Sequence, residues 1–79
     1  MITIHVNNKR NKQKSGKFIA LACGFKSEVS AVIDGEEINA KSIMKAPVIE
    51  NAVEISFIIN GEDEKKAANA ISAYFKANN

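Results

Sequence analysis

The sequence predicts an α+β domain in which helices cover one face of a four-stranded antiparallel sheet. Four segments alternate apolar and polar residues with the period of a half-buried strand, and two others carry apolar residues at helical spacing. Asp34-Gly35 joins two of the strands with a dipeptide that favours a type I′ hairpin turn. Because each strand and each helix has one apolar side, the simplest arrangement leaves the other sheet face to solvent.

The predicted strands share this alternation and span Met1–Asn7, Ser27–Ile33, Glu36–Ala40 and Ala52–Asn60. In the second strand the residues expected to face inward are Val29, Ala31 and Ile33. The last strand alternates most regularly and is expected to be the most central one. Its apolar side consists of Val53, Ile55, Phe57 and Ile59.

Two segments have clear helix signals. Gly16–Cys23 is predicted to be a helix that Ser15 caps and Gly24 closes, with Cys23 partly buried as a small hydrophobe. The final helix opens with the acidic run 61–64, which places negative charge at its positive end. Its core face is expected to contain Ala67, Ala70, Ile71 and Tyr74, with Phe75 at the edge of that face.

A further helix is predicted to begin after Ser42. The Ser42 hydroxyl is placed to accept a hydrogen bond from a free backbone N–H group of the first turn. Pro47 follows five residues later and cannot donate the hydrogen bond expected by the Ile43 carbonyl. This helix is therefore predicted to be short and distorted.

Composition and charge restrict the class of protein. The 79 residues predict a single domain, 1–79, and one cysteine cannot form an internal disulfide. No apolar run has transmembrane length and the first residues lack the apolar segment of a signal peptide, so a cytoplasmic protein is expected. The net charge of +2 is unevenly distributed: residues 1–27 carry six basic and no acidic side chains, and residues 28–79 carry five basic and nine acidic ones.

The sequence contains no recognisable catalytic or metal-binding set. His5 is the only histidine, and it lies on the polar side of the first strand. The sequence also lacks a Ser/His/Asp or Cys/His arrangement and a phosphate-binding loop motif. A protein that is not an enzyme and needs no metal, cofactor or obligate small-molecule ligand is therefore expected.

The segment 7–17 is strongly basic and has two interpretations. It is either a solvated connection or a binding site for an anion, a nucleotide or a nucleic acid. Nucleic-acid binding is the less favoured of these because the segment has no aromatic residue for base stacking. The hypothetical anion site at the start of the first helix comprises Lys9, Arg10, Lys12, Lys14, Ser15, Gly16 and Lys17.

Four stretches carry a family resemblance: residues 22–29, Asp34-Gly35, residues 39–44 and residues 61–65. In these stretches the chain resembles HPr, the small phosphocarrier protein of the bacterial phosphoenolpyruvate-dependent sugar phosphotransferase system. The run Ala-Lys-Ser-Ile-Met at 40–44 is most similar to the catabolite-repression paralogue of HPr. The resemblance implies an open-faced β-sandwich of four antiparallel strands and three helices.

The resemblance also implies the loss of one activity. The family's phosphorylatable histidine falls on Asn11 and its helping arginine falls on Gln13. An amide nitrogen has a delocalised lone pair and cannot accept the phosphoryl group in place of an imidazole. The chain is therefore not expected to be a histidyl phosphocarrier.

The family's regulatory serine falls on Ser42. By resemblance, a serine kinase/phosphorylase modifies this residue, and the phosphorylated protein serves as corepressor for a catabolite-control transcription factor. The apolar pair that contacts partners in the family corresponds to Ile43 and Met44, flanked here by Lys41 and Lys45. Protein partners rather than membranes are therefore expected.

Overall fold

The computed structural model describes residues 1–8 and 15–77, with only the backbone described for Ser15, Gly16 and Ala77. Four strands and three α-helices lie in the predicted order, and a short 3₁₀ turn precedes the second helix. The elements are β1 (Ile2–Asn7), α1 (Ser15–Cys23), β2 (Glu28–Ile33), β3 (Glu36–Asn39), the 3₁₀ turn (Ile43–Lys45), α2 (Ala46–Asn51), β4 (Glu54–Asn60) and α3 (Glu64–Ala77).

The strands form one antiparallel sheet in the order β1-β4-β2-β3. The strand with the most regular alternation, β4, is central as predicted, and it pairs with β1 on one side and β2 on the other. Asp34 and Gly35 have φ angles of 52° and 81°. These positive values at both central positions fit the type I′ turn that the sequence predicts between β2 and β3.

The core lies between the sheet and the helices. Phe57 on β4 is fully buried, and its ring centre lies 5.2 Å from that of Phe18 on α1 and 5.6 Å from that of Phe75 on α3. Two predicted inward residues are less buried than expected. Val53 is 52% exposed because β4 begins only at Glu54, and Ile33 is partly buried because it adjoins the turn.

The buried face of α3 is rotated from its predicted position. Ala68 and Phe75 are buried, whereas Ala70 and Tyr74 are only partly buried. Alanines occur around much of this helix, so the apolar pattern alone does not fix its orientation. Packing of the Phe75 ring against the aromatic rings of Phe18 and Phe57 settles it.

The second helix is short and broken, as predicted, but the break differs from the expected one. The 3₁₀ turn ends at Lys45, and the Ala46 N–H donates to the Ile43 carbonyl. Pro47 then lies in the first turn of α2, where its missing N–H leaves no intrahelical hydrogen bond unmade. The expectation that Pro47 would disturb the interior of a helix begun at Ser42 is therefore wrong.

Asp63 joins the start of α3 to the start of β2. Its carboxylate accepts hydrogen bonds from the Lys26 N–H at 2.9 Å, the Ser27 N–H at 2.9 Å and the Ser27 hydroxyl at 2.5 Å. These bonds, first that of the Ser27 hydroxyl and then that of the Lys26 amide, lower the pKa of Asp63 to about 2. The ionised carboxylate therefore stabilises the fold.

Acid is expected to remove this contribution. The pKa of Asp63 is lower in the folded chain than in the unfolded chain, so the stabilisation is complete above the unfolded pKa, about 3.9, and disappears as the pH falls through about 2. Thermal denaturation of the wild type and of Asp63→Asn should give melting temperatures that differ near neutral pH and converge toward pH 2. Glu62→Gln, an exposed neighbour, is the matched control. A difference between wild type and Asp63→Asn that does not change with pH would contradict this role.

Candidate functional site around Ser42

Ser42 lies in the connection between β3 and the 3₁₀ turn, and short hydrogen bonds fix the backbone on its N-terminal side. The Ala40 N–H donates to the Val29 carbonyl at 2.9 Å, which ties the connection to β2. The Asn39 side chain accepts from the Lys41 N–H at 2.9 Å, and the Asn39 carbonyl accepts from the Ser42 N–H at 3.2 Å. Ser42 itself is partly exposed at the end of this ordered connection.

Ser42 occupies the predicted N-cap position but does not cap with its side chain. Its backbone is extended, with φ −80° and ψ 120°, and its hydroxyl makes no capping hydrogen bond. The Lys45 N–H, which a capping hydroxyl could bind, donates instead to the Ser42 carbonyl at 3.1 Å and closes the 3₁₀ turn. The prediction of a side-chain cap is therefore wrong, and the hydroxyl is not engaged in holding the turn.

An apolar patch follows Ser42 directly. Ile43 and Met44 are 73% and 84% exposed, and Pro47 and Val48 are also exposed. We call these four residues the Ile43–Val48 patch. Ala46 and Ile49 are buried and anchor the same segment to the core, so helical geometry turns the patch residues outward. Adjacent large apolar side chains with this much exposure are typical of an interaction surface.

The two lysines beside the patch differ from each other. Lys45 is exposed, as expected for a charge at the rim of an interaction surface. The Lys41 ammonium, by contrast, donates to the Phe25 carbonyl at 2.7 Å, and its side chain is partly buried. Of the two lysines that flank the patch in sequence, only Lys45 is thus exposed, whereas Lys41 is held against the backbone at Phe25.

Cys23 contacts the same connection from α1. Its Sγ lies 3.8 Å from the Lys41 carbonyl oxygen. The thiol-bearing residue is exposed, contrary to the expectation of partial burial, because it is the last residue of α1 and lies outside the core. The connection before Ser42 is therefore held at the C-terminal end of α1 by contacts with Cys23 and Phe25.

The basic segment is described only in part. Lys9, Arg10, Asn11, Lys12, Gln13 and Lys14 lie outside the described residues, so the predicted anion site and the Asn11 and Gln13 positions remain predictions. Ser15 and Gly16 form the start of α1, and Lys17 is exposed in its first turn.

Sequence reasoning missed the role of Asn8, which lies near the start of this segment. Asn8 is only 3% exposed, and its N–H donates to the Val53 carbonyl at 2.6 Å. Its side-chain amide donates weakly to the carbonyls of Glu50 and Ala52, both at 3.4 Å, whereas its Oδ1 is buried without a hydrogen-bond partner. From the sequence alone, an asparagine at the end of a strand indicates the start of a loop. Its burial depends on contacts with residues 50–53, at the end of α2 and just after it, which the local sequence does not show.

Within residues 1–8 and 15–77, no group of three or more His, Cys, Asp or Glu side chains is close enough to hold a metal ion. Among the helices described, none is long and apolar enough to cross a membrane.

Comparison of the sequence with protein families and with known proteins gives two matches that agree with each other. The family described as the PTS HPr component phosphorylation site matches residues 1–77. The HPr-like protein Crh of Bacillus subtilis is 37% identical over 59 residues, which cover 72% of this chain and 69% of Crh.

Solved structures extend the likeness to the fold. The crystal structure of HPr-C-His from Thermoanaerobacter tengcongensis matches with a TM-score of 0.87 and 24% identity, covering 99% of this chain and 94% of that one. The solution structure of Crh, the Bacillus subtilis catabolite repression HPr, matches with a TM-score of 0.71 and 31% identity, covering 94% and 93% of the two chains. The order of elements and the open antiparallel sheet with three helices agree with these matches, and the chain belongs to the HPr family of the sugar phosphotransferase system.

Proposed function

We propose that this chain is a regulatory HPr-like protein that does not transfer phosphate through histidine and acts through phosphorylated Ser42 in carbon catabolite regulation. The observation that carries the proposal is that the Ser42 hydroxyl makes no capping hydrogen bond and directly precedes the exposed side chains of Ile43 and Met44. Its resemblance to Crh, a catabolite-repression HPr, supports the same role.

Phosphorylation would change the surface rather than the fold. A phosphate adds about −1.5 to −2 charges at neutral pH. The hydroxyl that would receive it makes no capping hydrogen bond, so no such contact is lost when it is modified. Lys45, three residues after Ser42, is exposed, whereas the ammonium of Lys41, the residue before Ser42, donates to the Phe25 carbonyl.

A partner would read the modified state by two kinds of contact. Arginine or lysine side chains on the partner would bind the phosphate, and an apolar pocket would bury Ile43 and Met44. Pro47 and Val48 are also exposed and add apolar surface that such a pocket could cover. By resemblance, these partners are a serine kinase/phosphorylase and a catabolite-control transcription factor.

The loss of histidyl transfer is proposed from the sequence. Asn11 has no nucleophilic nitrogen, and His5 cannot replace it. The His5 side chain is on the open side of β1 and is hydrogen-bonded through Nδ1 to the Ser56 hydroxyl at 2.6 Å.

The proposal predicts one modification and the absence of another. Incubation with an HPr serine kinase and ATP is expected to add one phosphate that mass spectrometry locates on Ser42 and that Ser42→Ala abolishes. Ser30→Ala, at a partly buried strand position, is the matched control and should leave the phosphate in place. Incubation with enzyme I and phosphoenolpyruvate is expected to leave the protein unlabelled.

The docking surface is tested with the phosphorylated protein. An Ile43→Ser/Met44→Ser variant should keep its melting temperature, because both side chains are exposed, and should lose most of its affinity for the transcription factor. No phosphate on Ser42 under conditions that modify an ordinary HPr would refute the regulatory proposal. Acid-labile phosphate on any residue after treatment with enzyme I would refute the loss of histidyl transfer.

A further inference from the structure

The outer edge of β1 carries backbone groups that point away from the sheet. β1 is the last strand on its side, so only its inner edge is paired, with β4. The Asn8 N–H donates to the Val53 carbonyl at 2.6 Å in continuation of this pairing, and successive strand residues direct their backbone groups to opposite edges. The 2.6 Å contact between the His5 and Ser56 side chains is typical of a pair without backbone bonds. The N–H and C=O groups of Thr3 and His5 therefore point outward.

The rest of the described chain does not cover this edge. Within residues 1–8 and 15–77, no hydrogen bond reaches the outward backbone groups of Thr3 or His5. A depression of about 300 Å³ lies beside the second half of β1. Its lining includes His5 from the face opposite the helices and Ser72 and Phe75 from α3 on the other face. A space that reaches both faces of a sheet follows its edge, so α3 does not close this one.

The sequence of β1 lacks the features that keep the edges of sheets apart. Residues 1–8 contain no lysine, arginine, aspartate, glutamate or proline. The opposite edge strand, β3, has only four residues, and two of them are Glu36 and Glu37. Shortness and charge are the usual means by which an edge strand avoids pairing with another chain. The β3 edge is thus protected, whereas the β1 edge is open to a further strand.

The apolar core also remains open at this edge. Ile2, Ile4 and Val6 face the core from β1 but are only partly buried. The three apolar residues that face the core from β4, the next strand, are at most 2% exposed. A further strand beside β1 would remove more of this apolar row from water, which is favourable.

β1 is complementary to a second copy of itself. In an antiparallel pair centred on Ile4, Thr3 of each copy lies opposite His5 of the other, and the outward groups of opposite residues exchange both of their hydrogen bonds. The same register places Ile2 of each copy opposite Val6 of the other. Opposite residues lie on the same face of a sheet, so the apolar rows of the two copies become continuous.

We propose that two copies of this chain pair through the outer edges of their β1 strands and join their four-stranded sheets into one. Each copy contributes the same edge, so the contact is symmetric and closes at a dimer. One strand and the adjoining side of α3 form a small interface, below about 1,200 Å² in total, so the dimer is weak and forms at high protein concentration. Backbone hydrogen bonds and apolar contacts are little screened, so salt should not dissociate it.

Amide hydrogen exchange measured by NMR tests the register directly. The amides of Thr3 and His5 are expected to exchange at least about threefold more slowly at about 2 mM protein than at about 50 µM, because only the dimer bonds them. The amide of Ile4 points to β4 and should be protected equally at both concentrations. Translational diffusion in the same samples should slow toward the value of a dimer and no further, in low and in high salt alike.

Two proline variants form a matched pair. Thr3→Pro removes an outward N–H that no strand of the same chain uses, so it should leave the fold intact and weaken dimerisation at least about tenfold. Glu37→Pro removes an outward N–H from the opposite edge, because the Ala40 N–H bonds to β2 and position 37 therefore faces away from it. This variant should dimerise like the wild type. Far-UV circular dichroism shows whether each variant is folded.

Several outcomes would overturn the proposal. A wild type that remains monomeric at about 2 mM is one, because a strand-edge contact that does not form there has no measurable affinity. A dimer in which the amides of Thr3 and His5 still exchange rapidly is another, and it would indicate a different interface or an exchange of whole strands. Dimerisation that a folded Thr3→Pro variant retains, or that Glu37→Pro abolishes, would also contradict it. If Thr3→Pro is unfolded, amide exchange in the wild type still decides, since it needs no substitution.

Discussion

Replacement of Phe57 by alanine is expected to destabilise the chain by about 3–5 kcal/mol. A protein of this length has a total stability of only about 4–12 kcal/mol, so this variant should be largely unfolded at moderate temperature. Phe57 is fully buried on the central strand and stacks at 5.2 Å and 5.6 Å, between ring centres, against Phe18 and Phe75. Its loss removes the side chain that joins the sheet to α1 and α3. Urea denaturation followed by circular dichroism measures the effect.

The neighbouring residue provides the control for this prediction. Ile58 follows Phe57 on the same strand but lies on the sheet face opposite the helices, where it is only partly buried. Ile58→Ala is expected to cost about 1 kcal/mol. If the two alanine variants lose equal stability, the helix-covered side of the sheet is not the main core.

Substitution of Gly61 by alanine is expected to cost about 3 kcal/mol or more. A Cβ atom at this position would lie 2.6 Å from both the Cα and the Oγ of Ser27. Ser27 cannot retreat easily, because it is buried and its N–H and hydroxyl are both bound to Asp63. The positive φ of 158° adds backbone strain for any residue with a side chain. The clash should shift α3 away from β2, and the free energy of unfolding reports it.

A Gly35→Ala substitution is the control that distinguishes the steric clash at Gly61 from the backbone strain of a positive φ. Gly35 also has a positive φ, 81°, but a Cβ there would meet no atom within 4 Å. Gly35→Ala is therefore expected to cost only the conformational strain, about 1–2 kcal/mol. If the two substitutions lower the free energy of unfolding equally, the close approach of Gly61 to Ser27 does not contribute to the cost of Gly61→Ala.

The sheet could be predicted because its signals are local. The alternation in β1, β2 and β4 repeats every two residues, and Asp34-Gly35 specifies its turn without help from the rest of the chain. The shortness of the second helical segment could also be predicted, because Pro47 does not fit the interior of a helix and is found instead in the first turn of α2. These features depend on residues within a few positions of each other.

The candidate site could be predicted less well, because its contacts join residues far apart in sequence. The bond between the Lys41 ammonium and the Phe25 carbonyl spans 16 positions and depends on how α1 meets the end of β3. Whether the Ser42 hydroxyl makes a capping hydrogen bond depends on whether a 3₁₀ turn or an α-helical turn follows it. A serine at the N-cap position precedes either kind of turn, so the sequence does not distinguish them. The position of Ser42 could thus be predicted, whereas the partners of its neighbours could not.

Cys23 gives this chain a built-in attachment point for a spectroscopic probe. It is the only cysteine in the sequence, it is exposed, and its sulfur contacts the carbonyl of the residue directly before Ser42. A thiol-reactive fluorophore will therefore label one position, beside the Ile43–Val48 patch but outside it. Its emission can follow the arrival of a phosphate on Ser42 or of a protein on the patch in real time, in a chain with no substitution.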